Sequence, residues 1–262
     1  MPSIFSIRAI ATLIVLSVPS TLSAWSQQVA LPAPDRVLAR DVFRQLIETN
    51  TSHSVGSTTV AADAMRKRLL DVGFPVGDVV VIGPDARHGN LVARYRGASG
   101  STKKPMLIIA HLDVVEAKRE DWTTDPFQFV EKDGYFYGRG TQDMKDSDAA
   151  SVVSFIRLKR EGFVPDRDMI LALTAGEEGG EDNGVEWLLK NHRDLIDAEF
   201  AINADSGGLS SNDAKPLELG VEATEKLYAD FHLTATNPGG HSSVPTSDNA
   251  LRDTTLVKCV RN

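Results

Sequence analysis

The sequence predicts an α/β sandwich built on a mixed, largely parallel sheet, followed after residue 218 by the start of a second domain. Three observations predict it. Helical periods alternate with short apolar runs along the first two hundred residues. The run Met169–Thr174 is apolar almost throughout, as in a strand covered on both faces. Three polar clusters, His111 with Asp113, Glu177 with Glu178, and Asp205, each follow directly on such a run. Ligand sites in open α/β sheets gather at the carboxyl ends of strands, so these distant residues are expected to meet in space.

Taken in order, Asp35 reads as the cap of a helix over Arg36–Glu48, with Val37, Phe43, Leu46 and Ile47 near helical spacing. Asn50-Thr51-Ser52 fits a glycosylation sequon, a pattern that chance produces often. A second helix is predicted over Thr58–Val72 and stopped by Gly73. Val79–Ile82 and Asn90–Tyr95 read as strands around the turn Gly83-Pro84-Asp85. Met106–Ala110 is an apolar strand that ends in His-Leu-Asp. Trp122 to Phe129 is a loop with three aromatics, and Asp133-Gly134 turns the chain into Tyr135-Phe136-Tyr137. A Gly-Arg-Gly turn then presents Asp143 before a helix over Asp148–Arg160, whose first-turn acids Asp146 and Asp148 suit the helix dipole. A helix over Val185–Asn191 and a strand over Phe200–Ala204 complete the pattern. From Leu219 the character changes: Tyr228–Thr236 alternates like an exposed strand, and a helix start is expected near Asp248.

Composition sets limits. The 262 residues are 42% hydrophobic and 24% charged, ordinary for a chain with a sizeable core. A net charge of -8 argues against a nucleic-acid partner, because phosphate binding needs a basic face. Arg8, the apolar stretch Ala9–Val18 and Ala24-Trp25-Ser26 together describe a secretory signal peptide over residues 1–26. That stretch is short for a permanent membrane span, so the mature protein is expected to be secreted or periplasmic. Cys259, the only cysteine, can form no internal bridge and has no base partner nearby in sequence.

His111, Asp143, Glu178 and Asp205 form a mixed nitrogen and oxygen donor set that suits zinc, with cobalt or manganese as alternatives. So many carboxylates repel one another unless more positive charge is added, and a pair of divalent ions sharing one carboxylate supplies it. A water between two ions becomes the nucleophile, Glu177 its general base and later the acid for the leaving nitrogen. Asp113 is placed to accept the other imidazole N–H of His111 and fix its tautomer. Each cluster alone is weak, because His-x-Asp and Glu-Glu are common on solvated surfaces. Their joint occurrence, each ending an apolar run, carries the reading.

The segments AHLDVV, YGRGTQDMKD, TAGEEGG, NADSGG and NPGGHSS resemble, in order and spacing, the co-catalytic zinc peptidases related to carboxypeptidase G, aminoacylase and succinyl-diaminopimelate desuccinylase. The resemblance implies a zinc-peptidase α/β domain over 27–218 and the start of a ferredoxin-like lid over 219–262. It implies that His111 and Asp205 hold one metal, that Glu178 holds the other, and that Asp143 bridges both. Asp113 would orient His111 and Glu177 would be the acid/base. His241 matches a lid histidine that, in dimeric members, polarises the scissile carbonyl in the partner's site, so a homodimer through the lid is implied. The substrate would be a small peptide or an N-acyl amino acid. The family's second metal takes a further histidine from beyond the lid, and His192 and His232 do not match that position. The chain therefore reads as a C-terminally truncated member, with an inactive fragment that lacks the last histidine ligand as the alternative to a working hydrolase.

Overall fold

The computed structural model describes residues 32–179, 183–205, 208–212, 215–220 and, singly, 232, 234 and 236. The chain divides into two compact units, residues 1–205 and 206–262. The expected signal peptide, His241, and most of the expected lid lie outside the described residues.

The first unit opens with α1 (Ala33–Ile47) and α2 (Thr58–Asp71). Pro34 sits in the first turn of α1, where its missing N–H costs nothing. Pro32, not Asp35, is therefore the flanking residue, and the helix starts three residues earlier than its apolar period suggests. Strands β1 (Val79–Ile82), β2 (Asn90–Tyr95) and β3 (Met106–His111) follow. A small hairpin, β4 (Val130–Lys132) and β5 (Tyr135–Tyr137), comes next, then α3 (Lys145–Arg160), β6 (Met169–Thr174), α4 (Gly184–Asn191), α5 (Arg193–Ile196) and β7 (Phe200–Asn203).

The five-stranded sheet runs β1-β2-β6-β3-β7. β3 pairs in parallel with both β6 and β7, whereas β1, β2 and β6 pair antiparallel. The sheet is thus mixed, and its three parallel strands end on the same edge. Side-chain alternation builds two cores. Leu171 and Leu173 of β6 join Leu91, Ala93 and Ala110 in a cluster with Val42, Leu46, Met65, Val152 and Phe155 from α1–α3. Ile170 and Ala172 face the other way, against Leu107, Leu188 of α4 and Ile196 of α5. Helices cover both faces, which explains why β6 reads as an unbroken apolar run. Phe155 and Ile156 are fully buried or nearly so, and each such side chain contributes about 1.5–3 kcal/mol of transfer free energy.

In the second unit an antiparallel hairpin, β8 (Gly208–Asn212) and β9 (Lys215–Gly220), has a register shift between Ser210 and Ser211. The sequence reading assigned no strands there. Among the described residues, no helix is long and apolar enough to cross a membrane.

Candidate metal centre

Because β3, β6 and β7 are parallel neighbours, His111 at the tip of β3, the turn after Thr174 on β6, and Asp205 after β7 emerge at one edge of the sheet. His111 is 2% exposed. Its Nε2 lies 3.1 Å from Asp143 Oδ1, 3.7 Å from Asp205 Oδ1 and 3.9 Å from Glu177 Oε2. Among the described residues, two triads offer donor atoms within 4.8 Å of one another: His111, Asp143 and Asp205, and His111, Glu177 and Glu178. The structure therefore gathers all four predicted ligands and Glu177 around one imidazole, with Asp143 and Glu178 in separate triads.

The supporting contacts explain how the chain holds this arrangement. Leu112 N donates to Thr174 O at 2.7 Å, and the His111 N–H points at Met144 Sδ at 3.3 Å. Thr51 Oγ1 donates to Leu112 O at 2.7 Å, while Asn50 Oδ1 accepts from Ser52 N and Oγ in a tight turn. The expected sequon is thus a structural turn that steadies the strand tip from outside. Gly176 takes φ 70°, a left-handed conformation open to glycine, and swings Glu177 and Glu178 towards His111. Asn90, fully buried, fastens the start of that turn by accepting from Ala175 N. A Cβ on Gly184 would fall 1.9 Å from Asn90 Oδ1, so only glycine fits there.

Asp113 acts differently from the sequence expectation. Its carbonyl oxygen, not its carboxylate, meets His111 Nδ1 at 3.0 Å. The carboxylate, 3.7 Å from the ring, accepts from Glu177 N at 3.1 Å and Glu178 N at 2.9 Å. The reason is reach: two residues along a chain leaving the strand, the carbonyl is nearer the ring than the carboxylate, which is free to bind the amides across the edge. Asp113 therefore couples the β3 tip to the Glu-Glu turn.

Charge is heavily one-sided. Burial disfavours the charged form of His111, but Asp113, Asp205 and Glu177 outweigh it and raise its pKa above the ordinary value. Burial raises the pKa of Glu177, and burial followed by the charge of Asp143 raises that of Glu178. Five carboxyl groups around one imidazole are an unstable set without added positive charge. The donor chemistry, imidazole nitrogen with carboxylate oxygens in two overlapping triads, fits a divalent metal.

Behind the site, Lys145 is fully buried and donates to Leu46 O and Thr49 O, both at 2.9 Å. Desolvation lowers its pKa to about 8. Asp148 is also fully buried, and neither carboxylate oxygen has a hydrogen-bond partner among the described residues. Burial raises its pKa well above the ordinary carboxylate value. Asp146 and Asp148 do lie in the first turn of α3, as expected. The expectation of a dipole-stabilised terminus did not foresee that one of them is enclosed. The signal was present: Lys145, Asp148, Val152 and Ile156 fall on one helical stripe.

The sequence profile described as peptidase family M20/M25/M40 matches residues 107–260. The chain belongs to the M20/M25/M40 peptidase family. This M20-family chain is 37% identical over 166 residues to a probable succinyl-diaminopimelate desuccinylase of Staphylococcus aureus (strain MRSA252), covering 63% of the chain and 38% of the relative. It is 31% identical over 231 residues to a human N-fatty-acyl-amino acid synthase/hydrolase, covering 83% of the chain and 44% of that protein. It thus spans less than half the length of these relatives. Its fold is similar to a di-peptidase of Saccharomyces cerevisiae (TM-score 0.54, 20% identity, 68% of this chain and 40% of that one). It is also similar to an M20 metallo-carboxypeptidase of Sulfolobus solfataricus (TM-score 0.53, 20% identity, 65% and 38%).

Proposed function

We propose that this protein is a metal-dependent amide hydrolase that cleaves a peptide bond in a small peptide, using two zinc ions. The observation that carries the reading is the convergence of His111, Asp143, Glu177, Glu178 and Asp205 at the ends of three parallel strands. When bound, divalent ions polarise the scissile carbonyl and lower the pKa of the attacking water. His111 and Asp205 are proposed to hold one ion, Glu178 the other, and Asp143 both.

Glu177 is the proposed general base. Its raised pKa brings it nearer to the operating pH, where proton transfer in both directions is efficient. It accepts a proton as the water oxygen bonds to the carbonyl carbon. It then delivers that proton to the leaving nitrogen as the C–N bond breaks, so no charge is stranded. Asp113 holds the Glu177 amide and the His111 ring in mutual register.

A second reading, hydrolysis of an N-acyl amino acid, is favoured by the names of the relatives at 31–37% identity. Both reactions break the same bond type with the same groups. A panel of dipeptides and N-acyl amino acids, assayed with and without a chelator, separates them. Peptide cleavage that stops on chelation supports the first reading, and cleavage confined to N-acyl amino acids replaces it with the second. Hydrolysis indifferent to chelation refutes both.

The segment from 219 to 262, with His241, is proposed as the start of a lid that pairs two copies of the chain, a point that sedimentation can test. Export is proposed on the strength of Arg8 and the apolar stretch Ala9–Val18. Amino-terminal sequencing of the protein recovered from its native cells tests it: a terminus at Met1 refutes a cleaved signal.

A further inference from the structure

Exposed connections are ordinarily the least constrained parts of a domain, but the one between α1 and α2 is tied down along its length. Ser52 bridges Val114 in the parallel sense, beside the bond from Thr51 Oγ1 to Leu112 O. Ser54 N and Oγ both donate to the Glu116 carboxylate, at 2.8 and 2.9 Å. The Arg87 guanidinium, from the β1–β2 loop, donates to His53 O at 2.6 Å and to Gly56 O at 2.9 Å. Gly56 N closes the loop on Ser52 O at 2.8 Å. The backbone is thus fixed on either side of His53, yet that side chain is exposed.

The His53 ring lies against the Glu-Glu turn of the metal centre. A Cβ on Gly179 would fall 2.9 Å from His53 Nδ1 and 3.2 Å from its Cγ. The imidazole therefore fills the space that a side chain at 179 would take. Its ring centre is 5.5 Å from that of His88, which Asp85 Oδ2 holds through Nδ1 at 2.7 Å. The turn needs such support. Asp113 secures the Glu177 and Glu178 amides, but among the described residues no hydrogen bond reaches either glutamate carboxylate. Where those carboxylates point then depends on where the backbone lies, and a misplacement of about 1 Å is costly at a reacting centre.

We propose that His53 is a positioning residue: its ring, packed on Gly179, sets the backbone of the Glu177-Glu178 turn and so the reach of both carboxylates towards the metal. The part it plays is one of shape, so another flat ring can fill it. This rests on the reading of the site as a metal-dependent amide hydrolase.

The test uses the full chain with His53→Ala, His53→Phe and Gly179→Ala. The first readout is residue-resolved amide hydrogen exchange without metal, since Asp113 accepts from both Glu177 N and Glu178 N. His53→Ala is expected to speed exchange at these two amides about fivefold or more, with β6 and α3 exchanging as in wild type. His53→Phe is expected to keep the wild-type rates. Gly179→Ala puts a methyl where the ring lies, so it should speed the same amides alone but add nothing to His53→Ala. In a competition titration with a chelator, zinc affinity should fall about tenfold in His53→Ala and recover in His53→Phe. Unchanged exchange at Glu177 and Glu178 in His53→Ala overturns the assignment of His53 alone. So does a rise spread over all segments, which marks general loosening, or a zinc affinity equal to wild type. Effects of His53→Ala and Gly179→Ala that simply add, or a folded His53→Phe that behaves like His53→Ala, also overturn it. A wild-type chain that takes up no zinc overturns this proposal together with the reading it rests on.

Discussion

His111 with Asp113 and Lys145 with Asp148 are both buried pairs of opposite formal charge, one at the tip of β3 and the other in the first turn of α3. In the first pair every polar group is engaged: the imidazole meets a carbonyl and a carboxylate, and Asp113 accepts two backbone amides. In the second, Lys145 is held by two carbonyls whereas the Asp148 carboxylate has no hydrogen-bond partner among the described residues. Burying a charge is costly unless hydrogen bonds or a counter-charge offset it. The tip of β3 meets that condition within the protein and leaves a surplus of negative charge that suits a cation. The first turn of α3 meets it for the lysine only, and burial raises the pKa of Asp148 well above the ordinary carboxylate value.

The largest expected effect falls where the two pairs differ in purpose. Glu177→Ala removes the proposed acid/base and should lower kcat on a cleaved substrate by about 10²–10⁴-fold. Metal analysis of the same variant should show zinc retained. Zinc lost along with activity would make Glu177 a ligand instead. Next comes Asp113→Asn, which removes the charge facing His111 and one of two good acceptors for the Glu177 and Glu178 amides. Zinc affinity should fall about 10–100-fold in a competition titration with a chelator.

Lys145→Met should act on stability and not on chemistry. It leaves Leu46 O and Thr49 O without their buried donor, at a cost of about 1–3 kcal/mol in urea unfolding. The smallest effect, and one of opposite sign, is expected at Asp148. Its folded-state pKa lies above the ordinary 3.8, so the folded chain binds its proton more tightly than the unfolded chain does. Stability from this group is full below pH 3.8 and declines as pH rises towards the folded value. Asp148→Asn lacks that loss and should be more stable than wild type near neutral pH, with the difference shrinking as pH falls towards 4. Thermal melts at several pH values read this directly. Parallel pH profiles for the two chains would mean that Asp148 is ionised when folded.

The same contrast explains what was legible in the sequence. His111, the Glu-Glu pair and Asp205 were readable because apolar runs end at them, and a strand tip is a local feature. That the sheet is largely parallel or mixed followed from strands separated by helices, whereas the order β6-β3-β7 is set by the fold. The antiparallel pairing of β2 with β6 did not follow either, because those strands are distant in sequence and alternation alone does not choose neighbours. Asp113 is next but one to His111 in the sequence, but which of its oxygens meets the ring depends on the turn leaving β3. Asp148 was read by its position in a helix first turn, although the stripe it shares with Val152 and Ile156 pointed inward. His53 and Gly179 are far apart in the sequence, and only the fold packs one against the other.

The carboxylates gathered around His111 are proposed to form a divalent-metal centre. The most direct test is the zinc content of the chelator-treated chain after re-equilibration at micromolar free zinc, measured by mass spectrometry beside Asp143→Ala. Zinc bound in whole-number proportion to the wild-type chain and lost from the variant is the predicted result. A wild-type chain that retains no more zinc than the variant would contradict it.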